Sequence, residues 1–277
     1  MDFSFGLIGY PIQHSLSPWI HEQFLERTNA NGTYTIYEIH PDESFSQEME
    51  KLRQLKLDGF NVTVPYKEKI IPYLDEIDAY AEKIGAVNTV LCKDDKWIGY
   101  NTDGLGFVRA LESKYPIITK DKEKEILIIG AGGAAKGIYH ALMEHGYANI
   151  TIANRTLEKA EMLTNPYELS KAITIDQAAN NLMSYDIIIH TTSVGMKPNI
   201  HDVILSFDKL KPDAIVSDIV YQPLVTKLLK NAKDVGANIH FGHTMLLYQA
   251  LYAYEIWTGL KPNMEQLDEA LQNVLEG

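Results

Sequence analysis

Short apolar runs alternate with stretches of helical spacing over the first hundred positions. Phe3 to Ile8 reads as a buried strand that ends in Gly9-Tyr10-Pro11. Ser17-Pro18 then opens a helix through Phe24 and Leu25, with serine suited to the N-cap and proline to the first helical position. Thr33 to Ile39, rich in β-branched and aromatic residues, predicts a second strand. Phe45 to Leu57 carries helical spacing, and Gly59-Phe60-Asn61-Val62 returns as a third strand. A helical stretch from about Tyr66 to Ile84 is interrupted near Pro72. Ala86 to Leu91 and Trp97 to Tyr100 form a hairpin around Asp94-Asp95.

A second βα series starts after the charged stretch Lys120 to Glu125. Ile126-Leu127-Ile128-Ile129 is the continuous apolar run that a parallel strand buried on both faces requires. Further strands are predicted at Asn149–Ala153, Asp186–His190 and Ala214–Asp218, with helices between them. This is the rhythm of a doubly wound α/β domain. From Gly242 to Glu276 the pattern is helical again, broken at Pro262. A helix from Asp103 and the returning tail would tie the halves together. The expected fold is therefore α/β with two domains: an N-terminal α/β substrate domain, 1–103 plus 238–277, and a Rossmann-type doubly wound domain, 104–237, with a cleft between.

Composition narrows the partners. The chain has 277 residues and a formal charge of −12, which disfavours nucleic acid or an anionic membrane as a partner, because phosphate binding needs a basic footprint. An anionic substrate would have to be held by local donors. With a single cysteine, Cys92, no intrachain disulfide can form. The start, Met1-Asp2-Phe3-Ser4-Phe5, carries no signal-like run, and no segment approaches the ~20 apolar residues that span a bilayer. The expected compartment is the cytoplasm.

Gly130-Ala131-Gly132-Gly133-Ala134-Ala135 follows a strand and opens a helix, in the form G-x-G-x-x-A. Gly130 would make the tight turn, Gly132 would admit a pyrophosphate, and Ala135 is small enough for helix–strand contact. The phosphates would face the unpaired N–H groups of the helix that follows. An NAD site usually places a carboxylate at the end of the next strand to bind the ribose 2′-hydroxyl. This chain has Asn154-Arg155-Thr156 there, with Lys159 one turn on, a set that suits a 2′-phosphate and hence NADP. The same residues would also serve as a helix cap followed by solvated charges.

Three elements of the first half look chemically arranged. Ser15-Leu16-Ser17-Pro18 places two hydroxyls before a helix, suited to a carboxylate or simply to an N-cap. Asn61-Val62-Thr63-Val64-Pro65-Tyr66-Lys67 puts Asn61 and Thr63 on one face of a strand end, with Lys67 beyond the turn as a reactive amine or a surface charge. Gly99-Tyr100-Asn101-Thr102-Asp103-Gly104 again runs from strand into helix, where Asp103 could act chemically or cap. Asn88 opens a strand between the last two. No His-Glu-x-x-His pattern occurs among the nine histidines, and no metal is expected.

Taken together and in order, Ser-Leu-Ser-Pro, Asn-Val-Thr-Val-Pro-Tyr-Lys, Gly-Ala-Val-Asn-Thr, Gly-Tyr-Asn-Thr-Asp-Gly and Gly-Ala-Gly-Gly-Ala-Ala resemble the shikimate/quinate dehydrogenase family. Asp218-Ile219-Val220-Tyr221-Gln222-Pro223 and the run from Gly242 to Ala250 extend the resemblance across the chain. One departure is His190, where the family has asparagine in Asn-Thr-Thr-Ser. The resemblance implies a shikimate dehydrogenase activity: reversible NADPH-dependent reduction of 3-dehydroshikimate to shikimate, in aromatic amino acid biosynthesis. It implies that Lys67 and Asp103 are catalytic, with Asp103 mainly positioning Lys67 and a substrate hydroxyl. Ser15, Ser17 and Tyr221 would bind the substrate carboxylate. Asn61, Thr63, Lys67, Asn88, Asp103 and Gln249 would surround the ring. Gly130, Ala131, Gly132, Gly133, Ala134, Asn154, Arg155, Thr156 and Lys159 would hold NADP, with Ile219 and Gly242 near the nicotinamide. The molecule would act as a monomer or homodimer on this small substrate. Competing readings are a quinate or dual-substrate dehydrogenase, a non-catalytic dinucleotide sensor, and an enzyme similar to methylene-tetrahydrofolate dehydrogenase.

Overall fold

The computed structural model of the chain describes residues 2–165 and 170–276. They divide into two compact units, Met1–Asp103 with Gln249–Glu265, and Gly104–Tyr248 with Gln266–Gly277. Each unit is built on its own six-stranded sheet.

In the first unit the strands are β1 (Asp2–Gly9), β2 (Asn31–Glu38), β3 (Gly59–Val62), β4 (Glu76–Ile77), β5 (Thr89–Lys93) and β6 (Lys96–Tyr100). Their order is β2-β1-β3-β5-β6-β4, parallel through β1, β2 and β3 and antiparallel from β3 to β5 and β5 to β6. The β5–β6 hairpin closes through Asp94 and Asp95, whose φ angles of 52° and 59° are the left-handed pair a two-residue turn needs. The core packs on β1 and β3, with Ile8, Phe60 and Ile70 among its fully buried members.

Two expectations for this unit need correction. The stretch from Tyr66 to Ile84 is not an interrupted helix. It holds a 3₁₀ turn at Ile71–Tyr73, strand β4, and a short helix at Ala79–Ile84. Pro72 supplies no N–H, and Asp78 accepts from the Tyr80 amide, so a new helix is capped there. Ser17 is also not the N-cap. The helix runs Ser17–Arg27 with no side-chain cap at Leu16, and the Ser17 amide donates instead to Ser15 Oγ at 3.2 Å.

The second unit carries β7 (Ile126–Ile129), β8 (Ile150–Ala153), β9 (Lys171–Ile173), β10 (Ile187–His190), β11 (Ile215–Asp218) and β12 (Asn238–His240). All neighbours are parallel, in the order β12-β11-β10-β7-β8-β9. Numbered within the unit, that is the 3-2-1-4-5-6 order of a Rossmann sheet, with its switch point between β7 and β10. β7, β8, β10 and β11 are buried along their full length, β7 as an unbroken apolar run and the other three with Thr151, His190, Ser217 and Asp218 buried among apolar residues. The edge strands β9 and β12 span three residues each, too short to show a period, and the sequence pattern passes over them.

The tail divides differently from the expected boundary at 238. Asn238–His240 pairs with β11 in the second sheet, and within the helix Gly242–Thr258 the division falls between Tyr248 and Gln249. Residues 249–265 belong to the first unit through specific contacts. The Trp257 indole donates to Val90 O at 2.9 Å and stacks on Phe5 at 4.7 Å. Arg27 donates to the carbonyls of Asn263 and Glu265 at 2.7 and 2.8 Å. The last helix, Leu267–Glu276, buries Leu267 and Leu271 in the second unit.

Gly59 shows how closely Trp257 is seated, since a Cβ there would lie 2.3 Å from the indole. Gly59→Ala is expected to destabilise the first unit by about 1–3 kcal/mol, the usual range for overpacking. A lowered urea midpoint, read by tryptophan fluorescence, would measure it; an unchanged midpoint would mean the ring moves aside freely.

Candidate active site

In the first unit, Lys67 leaves the β3 strand end on a turn held at both sides. Its carbonyl accepts from the Val87 amide at 2.8 Å. Beside it, Tyr66 is buried, stacks on Phe45 and donates to Ile39 O at 2.7 Å. Fixed in this way, Lys67 Nζ donates to Asp103 Oδ2 at 2.5 Å, with the two side chains 28% and 20% exposed. The ion pair is accessible without being free in solvent. Asp103 opens the helix Asp103–Lys114, where its amide donates to Asn101 Oδ1 at 3.1 Å.

Asn88 completes this cluster. Its Nδ2 faces Asp103 Oδ1 at 2.9 Å, Thr102 Oγ1 at 3.0 Å and Gln249 Oε1 at 3.3 Å. Its Oδ1 accepts from the Thr102 amide at 2.8 Å, which fixes which end of the side chain donates. Lys67, Asn88, Asp103 and Gln249 are thus brought together.

Asn61 sits differently. It is 5% exposed; its Oδ1 accepts from Tyr34 Oη at 2.8 Å, and Nδ2 donates to Asn88 O and Thr89 Oγ1, each at 3.1 Å. Both amide hydrogens are used inside the protein, and the side chain props the Asn88 main chain from beneath. Thr63 is half-buried at the same strand end, where its methyl would lie 2.4 Å from a Cβ on Gly9. That close approach seats the loop carrying the serines against β3. Ser15 Oγ lies 3.2 Å from Ser17 Oγ, so the two hydroxyls form one polar spot ahead of the helix.

Sequence reasoning missed Tyr34, Thr89 and Thr102, which orient Asn61 and Asn88. A buried tyrosine among polar strand residues was the available signal. His21 lies under the same wall, fully buried and stacked on Tyr34 at 4.5 Å. Burial pushes its imidazole down to about 3, against a smaller upward pull from the Asn61 side chain.

The second unit places the glycine turn at the carboxyl end of β7. Gly130 has φ +119°, a left-handed conformation that favours glycine, and a Cβ there would meet Thr191 Oγ1 at 2.5 Å. Gly132 and Gly133 are exposed, and a Cβ on either would meet nothing within 4 Å. The open space above them, at the start of the helix Gly133–Glu144, fits a dinucleotide pyrophosphate facing the first-turn N–H groups. At the end of β8, Asn154 Nδ2 donates to Thr156 O at 2.8 Å, and Arg155 and Lys159 are exposed. Arg155 stands where an NAD site has its carboxylate, with Lys159 one turn on beside Glu158, and the arginine fits a 2′-phosphate. Gly242 and Ile219 are also brought together: a Cβ on Gly242 would lie 2.4 Å from the Ile219 carbonyl oxygen. Tyr221 lies in this unit beyond β11 and is 36% exposed.

The chain is 51% identical over 277 residues to a shikimate dehydrogenase (NADP(+)) from Oceanobacillus iheyensis, covering all of both chains. It belongs to the shikimate dehydrogenase family. The family's substrate-binding-domain model matches residues 7–90, the shikimate/quinate 5-dehydrogenase model residues 113–203, and the shikimate 5′-dehydrogenase C-terminal-domain model residues 242–272. Among solved shikimate dehydrogenases, one in complex with NADP+ is 39% identical with a TM-score of 0.87, covering 99% of this chain and 96% of that one. Another, from Thermus thermophilus in complex with NADP(H) and shikimate, is 32% identical with a TM-score of 0.87, covering 99% of this chain and all of that one. No helix among the described residues is long and apolar enough to cross a membrane.

Proposed function

We propose that this chain is an NADP-dependent shikimate dehydrogenase that reduces 3-dehydroshikimate to shikimate reversibly, within aromatic amino acid biosynthesis. The observation that carries the reading is the Lys67–Asp103 pair at 2.5 Å, with Asn88 on the other carboxylate oxygen at 2.9 Å. Bound NADPH would supply the hydride.

The protein's own residues would handle the proton. When hydride reaches a ring carbonyl, negative charge develops on oxygen, and Lys67 can donate to it as an ammonium. Asp103 holds that amine in place and can accept from a neighbouring ring hydroxyl. Because Asp103 is itself held by Asn88 and by its own position on a helix, the amine needs little reorganisation as the charge forms. Ser15 and Ser17 would take the substrate carboxylate, with Tyr221 supplying a third hydroxyl. Thr63 and Gln249 would meet ring hydroxyls, while Asn61 acts chiefly through Asn88.

The turn from Gly130 to Ala134 would hold the pyrophosphate, Asn154 to Lys159 the adenine ribose phosphate, and Ile219 with Gly242 the nicotinamide. A net charge of −12 supports a small-molecule partner rather than nucleic acid, with the enzyme working in the cytoplasm as a monomer or homodimer.

The test follows absorbance of the reduced cofactor with 3-dehydroshikimate, and in reverse with shikimate and with quinate, offering NADP and NAD in turn. Turnover with shikimate and NADP well above the other combinations is expected. Preference for quinate would transfer the reading to a quinate dehydrogenase, and no turnover with any pair would overturn it. Arg155→Ala should raise KM for NADPH by about 10-fold or more, the loss of one charge-assisted phosphate contact, while KM for NADH changes little. Equal losses for both cofactors would remove the 2′-phosphate assignment.

A further inference from the structure

The second unit contains a buried chain of hydrogen bonds that none of the assigned roles uses. His190 ends β10, in register with Ile129 of β7 on one side and Asp218 of β11 on the other. His190 is 1% exposed and Asp218 is 0% exposed. The imidazole Nδ1 lies 2.9 Å from Asp218 Oδ1, and Nε2 lies 2.5 Å from Thr192 Oγ1. Asp218 also accepts from the Val220 amide at 3.0 Å and from Thr226 Oγ1 at 2.7 Å.

Asp218, as a carboxylate, only accepts. Nδ1–H must donate to Asp218. In the neutral ring Nε2 then accepts, and the Thr192 hydroxyl donates to it. That leaves Thr192 Oγ1 with lone pairs alone for any other partner, and one already takes the Val194 amide at 3.3 Å. Thr192 is also packed against the glycine turn, since a Cβ on Gly130 would meet its Cγ2 at 3.0 Å. Its neighbour Thr191 is pinned through Oγ1 and N to Ile129 O at 2.8 and 2.9 Å.

We infer that His190, held by Asp218, is a positioning residue that presents Thr192 as a hydrogen-bond acceptor to the nicotinamide half of the dinucleotide. The half is set by topology. The residues suited to the adenine-side phosphate follow β8, and His190 lies across the switch point on β10, so the opposite end of the ligand passes over it. The chemistry is set by the lone pairs. Phosphate oxygens are acceptors and cannot pair with an acceptor-only hydroxyl, whereas a ribose hydroxyl or a carboxamide N–H₂ can.

The inference rests on the dinucleotide reading of the Gly130 turn, and the experiment separates the two. Binding of NADPH and of adenosine 2′,5′-bisphosphate, a fragment without the nicotinamide half, is measured by calorimetry on the full chain. Thr192→Val and His190→Asn are each expected to weaken NADPH about 3–10-fold, the loss of one hydrogen bond. The bisphosphate should bind them as it binds the parent. Thr192→Ser, which keeps the hydroxyl, should restore NADPH binding, and the double variant His190→Asn/Thr192→Val should be no weaker than either single. Asparagine can still donate to Asp218, and if that variant fails to fold the Thr192 pair carries the test alone. Unchanged NADPH binding in Thr192→Val, or an equal loss of both ligands, overturns the inference and leaves the cofactor reading standing. A parent chain that binds neither ligand overturns both.

Discussion

Lys67→Ala is expected to lower kcat for 3-dehydroshikimate reduction by ~10²–10⁴-fold, the usual contribution of positioned proton transfer, while KM changes only a few-fold. The reason lies in where the ammonium acts. A contact with the ring oxygen would strengthen as charge develops, so its removal would be felt in the transition state rather than in ground-state binding. The substrate carboxylate would still be met by Ser15 and Ser17, whose hydroxyls lie 3.2 Å apart at the helix start. Steady-state kinetics on the purified variant decides the matter. A loss in KM alone would make Lys67 a binding group, and near-normal turnover would take it out of the mechanism. Asn88→Ala should share part of the kcat effect, because it removes the donor to Asp103 Oδ1.

A second large effect is expected on acidification. Burial pushes the imidazoles of His21 and His240 down to about 3, with His243 adding to the push on His240. Both rings bind a proton near pH 6.5 when the chain is unfolded. Between those values the unfolded state holds more protons, so stability is complete above about pH 6.5 and falls as the pH drops toward 3. The slope is about 1.4 kcal/mol per pH unit for each ring, or roughly 2–3 kcal/mol apiece by pH 4.5.

The two histidines report on different units, His21 on the first and His240 on the second. Trp19, Trp97 and Trp257, the three tryptophans of the chain, all lie in the first. Urea unfolding followed by tryptophan fluorescence at pH 7.5 and 4.5 therefore reports on the unit that holds His21. His21→Phe, which keeps the stack on Tyr34, should flatten that pH dependence. An equally steep acid limb in the variant would assign the loss to other groups.

Local pattern carried most of this far. The unbroken apolar run at β7 followed by Gly130 and Gly132 needed no tertiary information, because the turn, the burial and the helix start are consecutive. Lys67, Asn88 and Asp103 each stood out because each sits where a strand meets a turn or helix, but their grouping into one site came only from the family resemblance of the motifs. What could not be read were partners distant along the chain. Asn61 is held by Tyr34, 27 positions away, and His190 by Asp218, 28 positions away. No periodicity encodes such pairings; they arise from strands set side by side in the sheet. Asn61 illustrates the cost: its motif suggested a ligand contact, and the fold has turned both its amide hydrogens inward.

The route of the last forty residues bears on how the protein is made. The first unit lacks Trp257, the ring filling the space beside Gly59, until residues 249–265 have emerged from the ribosome. The second lacks Leu267 and Leu271 until later still. Neither unit is a continuous stretch of chain that could finish its core during synthesis while the other waits. A messenger truncated before the codon for Trp257 would therefore leave both cores incomplete, and a fragment ending at Asp103 would lack the ring that fills the space beside Gly59.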